Sequence, residues 1–391
     1  MTTPEEAGRT RRDTTGRTAP DSFPRFRVLF LNSVRESSFG GGERWMLTIA
    51  TALEERGHAV LLGGRAGSAF LQRAEQQGLR TRDVRMRGEA DPATLLGLRL
   101  LFRRERPEVV VANFNKDVRL AGVARFPGSR PKVLARNGLA ILPNNVRYRH
   151  TYFRLADGIV TNTESIRKRY VDYGWVPGER VHVVHNGIRI PEPDGRSKAE
   201  IRQALGLPPM GRWIGAFGRL VTQKRFDLFL EAVERIRREI PDLRAVLVGD
   251  GPERAPLERL AAERGLEGVV HFAGFRTSVW DWYRACDVVA LTSASEGLPN
   301  AVLEAMALER PPVAFDVGGV REMVSDPSVG SVVAPEDVQG LVREAVRFLI
   351  DAELRARVGE AAARKVRAEF SIEAMTTCVE GILRGLVDTD R

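Results

Sequence analysis

The chain has 391 residues, 43% hydrophobic and 28% charged, a globular composition too long for one ordinary core, so two domains or three are predicted. No run of about 18 apolar residues offers a membrane span, and Cys286 and Cys378 stand far apart in no paired motif, which argues against a disulfide framework or zinc site and fits a reducing cytoplasm. The net charge of +9 is uneven: residues 1–190 hold 33 Lys and Arg against 19 Asp and Glu, which suits a polyanion, acidic lipids or an anionic substrate, unless a coding bias toward arginine accounts for it.

Residues 1–22, beginning "MTTPEEAGRTRRDTTGRTAP", have no apolar stretch for a signal-peptide core and are expected to be a disordered tail. The run 26–32, "FRVLFLN", then reads as a strand, "FGGGERW" as a glycine loop, and the spacing of Trp45, Ile49 and Leu53 as the helix that follows. Further strands are expected at 59–64, 107–113, 132–136, 157–163 and 181–187, with helical segments between most of them. This alternation predicts a parallel sheet covered on both faces, a first domain over 23–190.

"IRIPEPDGRSKAE" has two prolines and a glycine among charges, and is expected to supply a linker at 191–200. The alternation restarts in a second domain over 201–370. Its strands are expected at 212–218, 244–250, 269–275, 287–293 and 311–317, with helices near 226–239, 253–265, 278–285, 300–308 and 337–349. A last helix within 371–391, apolar at Met375, Val379, Ile382 and Leu383, is expected to cross back to the first domain. The fold class is therefore α/β, two tandem doubly wound parallel-sheet domains of Rossmann-like form, with ligands at the carboxyl ends of the strands.

Three stretches there could hold chemistry. Gly40, Gly41 and Gly42 lie between a strand and a helix N-terminus, either an anion site or a plain tight turn; they do not match G-x-G-x-x-G. Arg219 and Lys224 follow the strand that opens the second domain, and suit a diphosphate or form a solvated surface pair. "SASEGLPNAVLEAM", Ser293 to Met306, puts Glu296 on a loop and Glu304 about one turn inside the helix beginning near Pro299 or Asn300. A diphosphate at that helix start would extend one sugar toward each carboxylate. Read singly, either acid could be unrelated to a ligand.

Taken together, these motifs resemble the retaining GT-B glycosyltransferases of family 4, the glycosyl transferases group 1, from about residue 27 to 388. "GGGERWMLTIATALEERGHAV", "VVHNGI", "GAFGRLVTQKRFDLFLEA" and "VLVGDGPERAPLERLAAERGLEGVVHFAGF" are similar to that family, and the two glutamates with "EGLPN" between them are the most specific feature. The resemblance implies a GT-B fold with domains facing a cleft. It implies a nucleotide-sugar donor, UDP-linked by default, with Glu304 on the ribose, Arg219 and Lys224 on the diphosphate, and Glu296 on the transferred sugar. Gly297, Leu298, Asn300 and Ala301 would meet phosphate and sugar, Phe275 and Arg276 would lie near the base, and Gly41 and Gly42 would close from the first domain. No metal or other cofactor is implied. Three positions depart from the family pattern: Asn137 stands where many members have a donor-contacting histidine, Glu309 where a glycine precedes "PVAF", and Arg189 where an acidic residue follows "NGI".

The acceptor is expected on the first domain, near Asn113, Asn115, Lys116, Arg147 and Arg149, in a stretch that also holds Arg119, Arg136 and Arg154 with aromatic neighbours. An anionic glycolipid of cell-envelope or lipopolysaccharide assembly would suit it, at a cytoplasmic or inner-membrane surface; a solvated basic face is the alternative, and no nucleic-acid motif accompanies the charge. A nucleotide-sugar epimerase and a non-catalytic sugar-nucleotide-binding partner are the rival functions.

Overall fold

Aliphatic and β-branched runs without polar interruption meet the need of strands buried on both faces, and they form two all-parallel sheets. The computed structural model describes residues 25–34, 40–89, 91–126, 130–138, 144–174 and 176–388, so the tail expected at 1–22 lies outside it. The first domain contains β1 (Arg27–Asn32), β2 (Ala59–Gly64), β3 (Thr81–Asp83), β4 (Val109–Ala112), β5 (Lys132–Arg136), β6 (Gly158–Thr161) and β7 (Val181–Val183). The second contains β8 (Arg212–Phe217), β9 (Leu243–Val248), β10 (Val270–Gly274), β11 (Val288–Leu291), β12 (Pro312–Phe315) and β13 (Ser331–Val333). Strand order is β3-β2-β1-β4-β5-β6-β7 in one sheet and β10-β9-β8-β11-β12-β13 in the other, the reversal of a doubly wound fold, as expected.

Several elements escaped the sequence reading, the short helices Lys198–Ala204 and Val320–Met323 among them. β3 and β13 are three-residue edge strands, too short to show a period. Helix Ala352–Glu369, capped by Asp351 accepting from the Leu354 N–H at 2.9 Å, runs for 18 residues that the sequence reading left unassigned. The stretch expected as a linker ends in the first turn of helix Lys198–Ala204, which Asp287 beside β11 pins through Lys198 (2.5 Å) and Arg202 (3.1 Å).

The chain crosses between the domains twice, and the two crossings touch. Ile188 N donates to the Phe370 carbonyl at 2.9 Å and Ile188 bridges to Ser371. Gly187 is required there, because a Cβ would stand 2.6 Å from the Ser371 carbonyl oxygen. Phe370 is buried in the second domain's core; immediately after it, helix Ile372–Asp388 sends Met375, Val379, Leu383 and Val387 into the first domain's core beside Trp45, Ile49 and Leu53. Beyond the crossings, Glu322 of the second domain accepts from the Glu164 N–H (2.9 Å) at a helix start of the first, and from His185 Nε2 (2.8 Å). These contacts hold the carboxyl ends of both sheets toward one cleft.

Candidate active site

Two loops at the carboxyl end of the second sheet build the floor of the cleft. The loop after β8 carries Arg219 and a short turn, Thr222–Lys224; the loop after β11 leads into helix Asn300–Ala307. Polar bonds stitch them together: Ala294 N donates to the Gln223 carbonyl (2.9 Å), Gln223 Nε2 to the Ser295 carbonyl (2.6 Å), and Thr292 Oγ1 to the Lys224 carbonyl (3.1 Å). This register places Lys224 Nζ 2.5 Å from Glu296 Oε1, which also accepts from Ser293 Oγ at 2.6 Å. A third loop supports Glu296 from behind. Gly318 has φ +56°, and a Cβ there would fall 2.1 Å from the Glu296 carbonyl oxygen, so both conformation and space demand glycine.

Helix Asn300–Ala307 begins as expected after Pro299, and no side chain caps it. Val302 N turns back to the Pro299 carbonyl at 3.0 Å, and the N–H groups before it lie at the positive end of the dipole, an anion-binding arrangement. The Asn300 side-chain oxygen is buried without a hydrogen-bond partner. One turn on, Glu304 accepts from the Tyr283 hydroxyl at 2.8 Å, and the Tyr283 ring is stacked on Phe217 with centroids 3.6 Å apart. Burial raises the Glu304 carboxyl above its ordinary value, opposed by the Tyr283 hydroxyl and Arg44. Burial, then the neighbouring carboxylate, pushes the Tyr283 phenol well above its own, so it stays protonated and donates.

A cavity of about 1060 Å³ lies over this floor. It gathers ten of the residues expected to hold a donor: Gly41, Arg219, Lys224, Phe275, Arg276, Glu296, Leu298, Asn300, Ala301 and Glu304. Arg219 is exposed and makes no side-chain hydrogen bond or ion pair among the described residues. Phe275 is 72% exposed, and the Arg276 guanidinium lies 5.2 Å from the centre of the Trp282 ring. Gly42 and Gly297 flank the cavity: Gly42 backs onto Asn113 and Arg136, and Gly297 faces Asn162 across the cleft.

Several residues fall elsewhere than the sequence suggested. Asn137 is buried and outside the cavity lining, its amide donating to the hydroxyls of Tyr152 (3.3 Å) and Tyr170. The expected acceptor residues are largely engaged within the first domain. Asn113 Nδ2 donates to Glu43 (2.8 Å), Asn115 accepts from Tyr152, Lys116 reaches the Met86 carbonyl (3.3 Å) and Arg147 pairs with Glu89 (2.7 Å), while Arg149 is exposed. The Arg119 guanidinium, joined by Arg147, holds the Glu89 carboxyl down at about 2 against its partial burial. Sequence reasoning missed Tyr283 and Glu43. Tyr283 sits in the aromatic run "WDWYRA", which reads as core, and Glu43 has no local sequence signal beyond a first-turn position, yet it is 5% exposed and accepts from three N–H donors.

Comparison with known proteins identifies this arrangement. Residues 39–190 match the model of Glycosyltransferase Family 4, and residues 197–365 match Glycosyl transferases group 1. The chain is 31% identical over 352 residues to the lipopolysaccharide core biosynthesis glycosyltransferase LpsE of Rhizobium meliloti, covering 86% of this chain and 94% of that protein. It is also 31% identical to the alpha-D-kanosaminyltransferase of Streptomyces kanamyceticus, over 59% of this chain and 61% of that one. Among solved structures, Anabaena Alr3699/HepE in complex with UDP shares the fold, with a TM-score of 0.80 and 23% identity over 92% of this chain and all of that chain. With both domains matched and a relative aligned along nearly its whole length, the chain belongs to the glycosyl transferases group 1 family and is a GT-B glycosyltransferase.

Proposed function

We propose that the protein moves a sugar from a nucleotide sugar, UDP-linked by preference, to a glycolipid or saccharide acceptor in lipopolysaccharide or related cell-envelope assembly, with retention at the anomeric carbon. The observation that carries this reading is the cradle of Lys224, Glu296, the Asn300 helix start and Glu304 around one cavity. Two further facts support it: the relatives include lipopolysaccharide core glycosyltransferases, and the Anabaena neighbour has been solved with UDP-glucose. In this reading Glu304 accepts from the ribose hydroxyls, the helix start and Arg219 hold the diphosphate, and Glu296 meets the transferred sugar. Lys224 neutralises charge on the departing diphosphate, so the reaction needs no bound metal. The bond from the anomeric carbon to the diphosphate oxygen breaks as the acceptor hydroxyl attacks the same face; the departing diphosphate takes the hydroxyl proton. The protein's part is positioning and electrostatic stabilisation. No specific observation favours an epimerase or a non-catalytic partner.

Calorimetry against UDP-, GDP-, ADP- and CDP-sugars, followed by turnover with extracted glycolipid, tests the reading. Saturable binding of one nucleotide class and sugar transfer are expected, with turnover unchanged by a chelator; isomerised donor without transfer, or binding without turnover, would overturn it. The Glu304 carboxyl also makes a pH prediction. Its folded-state value is raised, and only the ionised form accepts from both ribose hydroxyls, so nucleotide affinity is present at neutral pH and falls as pH drops. The fall begins above the usual carboxylate range and is absent in Glu304→Gln, which binds weakly throughout. A wild-type affinity independent of pH down to that range removes Glu304 from the ribose.

No helix among the described residues is long and apolar enough to cross a membrane. Peripheral docking at the inner membrane face fits an exposed apolar patch on the first domain instead. Leu96, Leu100 and Phe126 are 59%, 57% and 69% exposed, and Arg99 donates to the carbonyl of Phe126 at 2.6 Å, tying that backbone to the helix. Arg103 and Arg104 on the same helix, Pro92–Glu105, supply positive charge for anionic lipid. Binding to anionic liposomes is expected at low ionic strength, weakened by salt and by Leu96→Asp with Leu100→Asp; equal binding to neutral vesicles would contradict it.

A further inference from the structure

Two arginines near the carboxyl end of the first sheet are neutralised internally: Arg119 and Arg147 converge on Glu89. Arg136 is different. It is the last residue of β5, beside β4 and then β1, so Asn32, Asn113 and Arg136 stand at the carboxyl ends of three adjacent strands. The nearby Glu43 carboxylate is already satisfied by Asn32 Nδ2 (3.1 Å), Asn113 Nδ2 (2.8 Å) and Gly40 N (2.9 Å). Arg136 makes one long hydrogen bond, Nη1 to Asn113 Oδ1 at 3.4 Å, and lies 5.4 Å from the Trp45 ring centre; no ion pair reaches it among the described residues.

Two glycines make room for this guanidinium. A Cβ on Gly42 would stand 2.9 Å from Nη1, and one on Gly138 2.8 Å from Nη2. The side chain therefore reaches from β5 to the first turn of helix Gly41–Glu55, whose first residue, Gly41, lines the donor cavity. A largely enclosed guanidinium with five donors, one long hydrogen bond and no carboxylate in ion-pair contact among the described residues is poorly satisfied, and such an arrangement persists where a ligand supplies the anion. Burial lowers the guanidinium to about 10, opposed by the charge of the Glu43 carboxylate.

We propose that Arg136 is the acceptor-recognition cation of this enzyme, its planar fork taking a carboxylate or phosphate monoester on the acceptor saccharide. The inference rests on the transferase reading above and adds the acceptor's chemical class. The acceptor is assigned rather than the donor sugar because Arg136 belongs to the first domain, behind the glycine loop, whereas the donor cradle is built from the second. Arginine suits a bidentate planar anion better than lysine does.

Glycolipid extracted from cells lacking the protein provides the test, used in three forms: untreated, dephosphorylated and carboxyl-reduced. With wild-type protein, kcat/KM is expected to fall about 10- to 100-fold on removal of one of the two anions, and the form that loses activity says which anion is read. Arg136→Gln loses that discrimination through KM for the untreated acceptor, Arg136→Lys keeps part of it, and UDP affinity stays within about twofold in both. Wild-type transfer equal among all three forms overturns the inference and leaves the transferase reading intact, whether or not the variants fold. A loss of donor affinity in Arg136→Gln with acceptor KM unchanged overturns it too, moving the anion to the donor sugar. No transfer to any form overturns the transferase reading itself.

Discussion

Lys224→Ala is expected to lower kcat by about 10²- to 10³-fold, the usual consequence of removing one charged donor from a developing negative charge. Lys224 Nζ lies 2.5 Å from Glu296 and both side chains are largely withdrawn from solvent, at 19% and 12% exposure. Within the protein the pair neutralises itself. When a nucleotide sugar enters, the ammonium can serve the diphosphate while Glu296 keeps its Ser293 hydroxyl and turns toward the sugar. Alanine thus removes a transition-state contact and leaves a partly buried carboxylate without its cation, so nucleotide affinity should fall less than turnover does. Lys224→Arg keeps the charge with the wrong reach and should recover only part of the rate. Steady-state kinetics alongside UDP titration decide the matter. A kcat within threefold of wild type would make Lys224 a surface partner of Glu296 and withdraw it from the diphosphate.

Glu380→Ala, remote from the cleft, should cost about 3 kcal/mol of stability. Glu380, on the helix that returns to the first domain, is 3% exposed; it is 2.9 Å from His58 Nε2 and 2.6 Å from Arg56 Nη1. His58 Nδ1 accepts from Phe26 N at 3.1 Å, which leaves the ring proton on Nε2 and makes Glu380 its acceptor. Truncation strands a buried N–H, whereas Arg56, about one-third exposed and also bonded to the Glu373 carbonyl and Thr377, recovers solvent. Denaturant unfolding would show the loss, and amide exchange would place it in helix Ile372–Asp388 and its neighbours. Glu380→Gln retains an acceptor for His58 and should lose less. A cost below 1 kcal/mol for the alanine variant would mean that the apolar contacts of Met375, Val379 and Leu383 dock the helix without this polar lock.

What the sequence determined by itself was whatever repeats or clusters locally. Apolar runs separated by helical spacing specified two parallel sheets, and the glycine loop, the cations after β8 and the two glutamates around "EGLPN" marked where a donor would lie, since each is set by a few consecutive residues. Three-residue β3 and β13 lack a readable period and exist because a neighbouring strand offers hydrogen-bond partners. Tertiary structure decided which polar groups meet. Lys224 finds Glu296 across 72 positions, and Tyr283 stays protonated to serve Glu304 because both are buried together. Asn137 is taken by two tyrosines of its own core, and Arg147 and Arg119 are neutralised by Glu89, while Arg136, one more arginine in the sequence, has no carboxylate in ion-pair contact among the described residues. A residue's type states what it can bind; its burial and the distant side chains packed around it decide whether that capacity is already used inside the protein or remains for a substrate.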